Sequence, residues 1–153
     1  MTAETLPRRG CLTGQVRDPA AGARALLERR TAQLAPFAAA VLEARSRPCV
    51  DVYVLLSPGQ EPGVRAAFAE QTARARGWNV ARVICDTTGS GTDPALRPAL
   101  ATALDRIARG KSAGLVAVSR ADISGFDDEY AAVLDRLRDV GGFLDLAHPE
   151  TAL

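Results

Sequence analysis

Short, mostly apolar stretches alternate with amphipathic stretches from residue 50 to the end of the chain. The apolar stretches are rich in valine, leucine and isoleucine and are bounded by turn-forming residues, which is typical of buried strands. These strands are predicted at 50–56, 79–85, 113–119 and 142–146. Apolar positions at helical spacing predict helices at 62–76, 97–109 and 127–140. This alternation predicts a three-layer α/β fold, in which a mostly parallel sheet of four or slightly more strands carries helices on both faces.

The preceding part of the chain has a helical composition. Residues 18–47 are rich in Ala, Leu, Glu and Arg and predict a helical extension before an α/β domain of residues 48–153. Asp18 and Pro19 suit the N-cap and first helical position, and Pro36 is expected to kink or split the helix. Its apolar stripe comprises Leu26, Leu27, Leu34, Phe37, Val41 and Leu42. Residues 1–17 show no periodicity, and we expect them to be mobile.

Composition and charge exclude several classes of protein. The 153 residues are 47% hydrophobic and 24% charged, which suits one globular domain with an appendage. The 19 basic and 18 acidic residues nearly balance, which argues against strong non-specific binding of nucleic acid. No membrane-spanning stretch or secretory signal is evident, so we expect a cytoplasmic protein that does not bind membranes. Three dispersed cysteines and the lone His148 indicate no disulfide framework, metal site or cofactor.

Several polar side chains follow the predicted strands. Ser57 follows the first strand, Asp86 and Ser90 the second, and Arg120 and Asp122 the third. Ligands of parallel sheets bind beyond the carboxyl ends of the strands, so these side chains are expected around one crevice. The simpler interpretation is that the serine and the two aspartates only cap turns and helices.

Four segments in this region carry recognisable motifs. They read YVLLS at 53–57, ARARGWNV at 73–80, DTTGSGTDPALRP at 86–98 and RADISGF at 120–126. In this order and spacing they resemble the catalytic domain of serine recombinases, the resolvase and invertase family, over about residues 50–146. The resemblance implies a resolvase-like fold, with Ser57 in the place of the nucleophile. It also implies that Asp86, Arg97 and Asp122 occupy catalytic-site positions.

The sequence departs from the family where positive charge is needed. Leu55, Ile123 and Phe126 stand where the family has arginines. Negative charge gathers on the nonbridging oxygens when a serine attacks a phosphodiester, and guanidinium groups bind such oxygens well. Losing one preorganised donor costs about 10²–10³ in rate in other enzymes. We therefore expect a degenerate domain without recombinase turnover, whose crevice is lined with hydrocarbon.

The leading hypothesis is a regulatory or protein/DNA-interaction module. Its partners would be DNA, a second copy of the chain, or another recombinase-type protein, and we expect a homo-oligomer. In the family, a long helix and a DNA-binding region follow the catalytic domain. This chain ends at Leu153, shortly after the fourth predicted strand, which agrees with that hypothesis.

Two alternatives remain open. An active recombinase or DNA nickase would use Ser57 with the guanidinium groups of Arg65, Arg97 and Arg120. A small-anion or nucleotide-binding protein would use the loop 89–92, although this loop has neither dinucleotide-binding nor Walker A spacing.

Overall fold

A computed structural model of the chain describes residues 18–43 and 47–152. Its strands are β1 (Cys49–Leu55), β2 (Asn79–Asp86), β3 (Gly114–Ala117) and β4 (Phe143–Leu146). Its helices are α1 (Pro19–Leu42), α2 (Gly63–Ala75), α3 (Pro98–Ala108) and α4 (Asp127–Asp139), with 3₁₀ turns at Pro94–Leu96 and Arg120–Asp122. The four strands form one parallel sheet in the order β2-β1-β3-β4. The predicted fold class is confirmed, and the sheet is entirely parallel.

The two faces of the sheet build two cores. Successive side chains of a strand point to opposite faces, so β1 contributes to both cores. Tyr53 and Leu55 pack with α3 and α4, whereas Val52 and Val54 pack with α2 and the second half of α1. Because β1 lies between β2 and β3 and is covered on both faces, its side chains from Val50 to Leu55 are buried. This explains the long apolar run of the first predicted strand.

Helix α1 begins as predicted and packs along β4. The Asp18 side chain accepts a hydrogen bond from the Ala20 N–H at 3.0 Å, which caps the helix. The first half of α1 contributes to the α3–α4 core, while Phe37 in its second half contacts Phe143 of β4 at 4.6 Å between ring centroids. Gly77 after α2 has φ +89°, and a Cβ there would lie 2.7 Å from Val41 Cγ1. A glycine therefore permits the close approach of α1 to the end of α2.

Two details of the predicted extension differ from the structure, and the structure decides a third. The helix ends at Leu42, and it continues through Pro36 without splitting. Pro36 and Ala32, whose carbonyl would have accepted the missing N–H bond, are both exposed, so water can satisfy that carbonyl. Leu42 is 87% exposed in the last turn and does not join the buried stripe. Residues 44–46 and the segment 1–17, predicted to be mobile, lie outside the described residues.

None of the helices in the described ranges is long and apolar enough to cross a membrane.

Candidate active site

Ser57 lies in a tight turn directly after β1. The Gln60 N–H donates to the Ser57 carbonyl at 3.0 Å, and the Ser57 N–H donates to Gln60 Oε1 at 2.9 Å. Gly59 has φ +82°, a backbone conformation that glycine adopts without strain. Ser57 is exposed, and its hydroxyl makes no hydrogen bond to any described residue. The turn thus exposes this serine to solvent, and no base or cation of residues 18–43 and 47–152 is bound to its hydroxyl.

Asp86, at the end of β2, is almost fully buried and has three donors. Its carboxylate accepts from the Tyr53 hydroxyl at 2.7 Å and from the N–H groups of Ala99 and Leu100 at 2.9 Å each. These two amides belong to the first turn of α3, so Asp86 caps that helix. Burial and the bond to Asp86 raise the pKa of Tyr53, while the charge of nearby Arg97 opposes the shift. The carboxylate therefore holds α3 and Tyr53 together.

Asp122, after β3, is 1% exposed and joins three segments. Its Oδ1 accepts from the Leu55 N–H at 3.1 Å, which fixes the end of β1 just before Ser57. Its Oδ2 accepts from the Ser119 N–H at 3.3 Å and from Arg65 Nη2 at 2.5 Å. Ser119 and Asp122 form a capping box around the 3₁₀ turn. Like that of Asp86, this carboxylate accepts three hydrogen bonds from the protein.

Arg97 is buried beneath the site, with 1% of its surface exposed. Its Nε donates to the Thr92 carbonyl at 3.0 Å and its Nη1 donates to the Asp122 carbonyl at 2.9 Å. The side chain therefore fastens the 89–92 loop to the turn after β3. These two donors are thus directed to neutral protein oxygens, and the side chain is shielded from solvent.

Arg65 and Arg120 have different surroundings. Arg65, in the first turn of α2, keeps 31% of its side chain exposed beside Asp122, and its buried Nε has no partner among the described residues. Arg120 instead donates to the Ser124 carbonyl and to Asp127, each at 3.1 Å, and stacks on the Tyr130 ring. Of these two cations, only Arg65 is bonded to the Asp122 carboxylate.

The structure therefore places most of the side chains predicted for the crevice at the carboxyl edge of the sheet. Asp86 and Asp122 are linked to Ser57 through the two residues before it, because Leu56 N–H donates to the Asp86 carbonyl at 2.8 Å and Leu55 N–H donates to the Asp122 carboxylate. Ser90 is exposed in its loop and makes no hydrogen bond to the described part of the chain, and Arg120 is turned toward α4.

The expectation for the three residues that replace family arginines is wrong at two of them. They were expected to line the crevice, but Leu55 and Ile123 are buried in the α3–α4 core, with 8% and 0% exposure. Leu55 follows Tyr53 by two residues on β1, so both side chains point to the same covered face. Phe126 lies beside α4 and is 67% exposed. Two of the three positions have thus become core.

Sequence reasoning missed Tyr53 and Ser119 as parts of this site. The Ser119-to-Asp122 spacing matches a capping box and could have identified the serine. The partnership of Tyr53 with Asp86 spans 33 residues and has no local signal. Within residues 18–43 and 47–152, no cluster of three or more His, Cys, Asp or Glu side chains is placed to hold a metal ion.

Comparison with solved structures identifies the fold. The chain is similar to the C-terminal catalytic domain of ISC1926 TnpA, an IS607-like serine recombinase, with a TM-score of 0.58 and 12% identity over 66% of this chain and 71% of that one. The N-terminal catalytic domain of TP901-1 integrase has a TM-score of 0.57 and 20% identity over 65% of this chain and 77% of its own. The first open reading frame of transposon ISC1904 from Sulfolobus solfataricus P2 has a TM-score of 0.51 and 11% identity over 65% and 66%.

These likenesses show a serine recombinase-like domain at the level of the fold. No protein-family profile matches the sequence. No curated protein matches it either. The predicted resolvase-like architecture is confirmed.

Proposed function

We propose that this serine recombinase-like domain does not cleave DNA and acts as a regulatory or interaction module. The observation that carries the proposal is the burial of Arg97, whose Nε and Nη1 donate to the carbonyls of Thr92 and Asp122. A phosphodiester beside Ser57 would need a donor free to bind its nonbridging oxygens. Arg97 is only 1% exposed, so its burial limits contact with a phosphate that binds at the solvent-exposed Ser57.

The two carboxylates support the same conclusion. Asp86 is occupied by Tyr53 and the start of α3, and Asp122 by Leu55, Ser119 and Arg65. A general base must have a lone pair within reach of the proton that it removes. Each carboxylate already accepts three hydrogen bonds, and neither is bonded to the Ser57 hydroxyl among the contacts of the described residues.

DNA and a second copy of the chain are the partner classes that we propose first. The solved structures with this fold are described as a serine recombinase, an integrase and a transposon product. This domain has their fold but carries Leu55 and Ile123 where the recombinase family has arginines. Such a domain suits a protein that binds alongside a recombinase-type partner. Homo-oligomerisation belongs to the same proposal.

Arg65 favours a second candidate, an active DNA nickase. Its guanidinium is partly exposed, is oriented by Asp122 and retains an unpartnered Nε. This single cation would have to replace three family arginines in stabilising the phosphorane-like transition state. We rank this candidate second for that reason.

Covalent capture distinguishes the two candidates. The full chain is incubated with fragmented genomic DNA of its source organism, which contains any cognate site, then denatured and digested for mass spectrometry of Ser57. We expect no nucleotide adduct on Ser57, and the same spectrum from Ser57→Ala. An adduct that disappears in Ser57→Ala would overturn the proposal, and its loss in Arg65→Gln would assign the nickase role to Arg65.

A binding measurement tests the interaction role. Light-scattering mass and a DNA titration at low and moderate salt are made on one preparation. Salt-sensitive binding supports a DNA-contacting module, because phosphate contacts release counterions. A defined oligomer without DNA binding supports a protein-interaction module, whereas a monomer that does not bind DNA contradicts both partner classes proposed first.

A further inference from the structure

The two edges of the parallel sheet carry different segments of the chain. A helix that connects two parallel strands returns against them, so strand-to-helix segments lie at the carboxyl edge and helix-to-strand segments at the amino edge. Helix α1 also ends at the amino edge, since Val41 in its last turn lies against Gly77, just before β2. With the adjoining helical turn included, the carboxyl edge comprises residues 56–66, 87–101 and 118–130. The amino edge comprises residues 39–43, 47–48, 72–78, 105–113 and 136–142.

The amino edge carries an excess of positive charge. Its segments contain eight basic and three acidic residues. Arg106 pairs with Asp51 of β1, and Arg76 pairs with Asp145 of β4. Three positive charges remain in excess after these two strand carboxylates are counted. The exposed basic residues of this edge are Arg47, Arg74, Arg76, Arg109, Lys111 and Arg138.

The carboxyl edge carries the opposite charge. Its segments contain six acidic and three basic residues. The basic residues are buried or half-buried, and two of them, Arg65 and Arg120, pair with carboxylates of the same edge. The exposed charged residues of these segments are all acidic, namely Glu61, Asp93, Asp127 and Asp128. Carboxylates therefore dominate the exposed charge of the edge that carries Ser57.

Exposed apolar side chains accompany these charges. Val64 in the first turn of α2, Leu96 before α3 and Phe126 before α4 are 83%, 74% and 67% exposed at the carboxyl edge. Leu42, in the last turn of α1, is exposed at the amino edge. Acidic residues at helix starts and basic residues at helix ends stabilise helices, but exposed apolar side chains contribute nothing to that effect. Apolar side chains among charged ones are instead typical of a protein–protein interface.

Extending the proposed self-association, we propose that copies of this chain associate head to tail, with the carboxyl edge of one copy on the amino edge of the next. The acidic residues of one edge would face the basic residues of the other, and the contact would cover Ser57. Val64, Leu96 and Phe126 would pack on Leu42 and on the alkyl stems of the arginines. A symmetric contact between two carboxyl edges would oppose like charges, and DNA at this edge would meet the same repulsion. A head-to-tail contact repeats into a ring or an open chain.

Sedimentation velocity of the full chain tests this contact directly. We expect the average mass to rise beyond that of a dimer as the protein concentration increases at about 0.05 M salt, and to fall towards the monomer at about 0.5 M, because salt screens exposed charges. A monomer at every concentration would overturn the head-to-tail contact. A dimer that neither grows with concentration nor responds to salt would overturn it as well.

Charge reversal at each edge provides a matched pair of variants. One carries Arg47→Glu with Lys111→Glu at the amino edge, and the other carries Glu61→Lys with Asp128→Lys at the carboxyl edge. Each alone should associate at least about tenfold more weakly, since its two edges then carry charge of the same sign. An equimolar mixture should associate again, because each variant keeps the edge that the other needs. Glu28→Lys, on an exposed position in the middle of α1, is the control and should leave association unchanged.

Circular dichroism shows whether both variants fold. A mixture of folded variants that associates as weakly as its components would contradict the contact, and the salt dependence of the wild type decides the matter where a variant does not fold. A dimer insensitive to salt, or a monomer that binds DNA, would overturn only the head-to-tail contact and leave the interaction role standing. A monomer that does not bind DNA would contradict both.

Discussion

Asp86 and Asp122 stand where the resemblance to serine recombinases places catalytic carboxylates, yet each is bound by three internal donors. A buried carboxylate in such a setting stabilises the fold, because removing it leaves the donors unsatisfied. Asp86 is the clearer case, since two of its donors are the free amides at the start of α3. Its three hydrogen bonds give Asp86 a role in folding.

Replacing Asp86 by alanine should therefore destabilise the protein strongly. We expect Asp86→Ala to lower the free energy of unfolding by about 2–4 kcal/mol, from the lost cap and the buried unsatisfied donors. Asp93→Ala is the control, because Asp93 caps a 3₁₀ turn through an exposed hydrogen bond from the Ala95 N–H at 2.9 Å, and it should cost about 1 kcal/mol. Urea denaturation measures both. Equal losses in the two variants would show that the buried contacts of Asp86 contribute nothing beyond an ordinary cap.

At the level of secondary-structure elements, α1 is held by a buried ionic cluster. Arg30 donates to Glu150 through Nε at 2.5 Å and through Nη2 at 3.1 Å, and its Nη1 lies 3.3 Å from Asp145. The Tyr130 hydroxyl also donates to Glu150 at 2.5 Å. The cluster connects α1 with α4, β4 and the segment after β4. A helix read from sequence as an extension is thus attached to the sheet by charge as well as by apolar packing.

Breaking this cluster should detach α1 from the sheet. Arg30→Met keeps the apolar volume but leaves Glu150 buried without its cation, and we expect a loss of about 3–5 kcal/mol in unfolding free energy. Denaturation and hydrogen exchange of the α1 amides measure the effect. Arg29→Met, one residue earlier, removes an ion pair with Asp135 in which both side chains are substantially exposed, and it should cost about 0–1 kcal/mol. If Arg30→Met were as mild as this control, the cluster would not anchor the helix.

The elements that the sequence predicted well are those with local signals. The bounds of β1, α2 and α4 lie within a residue of the prediction, because apolar runs and turn-forming residues mark both ends. The end of α1 was misplaced because the Ala-, Glu- and Arg-rich composition continues past Leu42. The prediction left open whether Pro36 kinks or splits the helix, and the structure excludes the split.

The location of the candidate site could be predicted from the sequence, but the hydrogen bonds and burial of its side chains could not. Parallel topology placed Ser57, Asp86 and Asp122 at one edge, which the hydrogen bonds of the residues beside them support. The contacts that occupy these groups join distant residues, such as Arg65 and Asp122, which are 57 positions apart. Burial of Arg97 likewise depends on how two loops meet. Such long-range partners leave no periodic trace in the sequence.

For the molecule as a whole, the two tyrosines make the free energy of unfolding depend on pH in the alkaline range. Both are fully buried. Burial raises the pKa of Tyr53, assisted by its bond to Asp86, and burial with the charge of Glu150 raises the pKa of Tyr130. In the unfolded chain both would ionise near pH 10. Above that pH the unfolded state has lost protons that the folded state keeps, so the free energy of unfolding falls as pH rises.

We therefore expect the folded protein to lose about 2.7 kcal/mol of stability per pH unit above about pH 10, the sum for two tyrosines. Phenolate absorbance should rise together with the loss of circular dichroism, because neither tyrosine can ionise in place. Tyr53→Phe and Tyr130→Phe should each halve the slope, although each also removes one hydrogen bond and lowers stability at neutral pH.

Burial also raises the pKa of Cys85, so Cys85→Ala is made in parallel to separate its contribution. Phenolate forming near pH 10 in a protein that retains its native spectrum would show that the two phenols are accessible, contrary to their packing between the sheet and its helices.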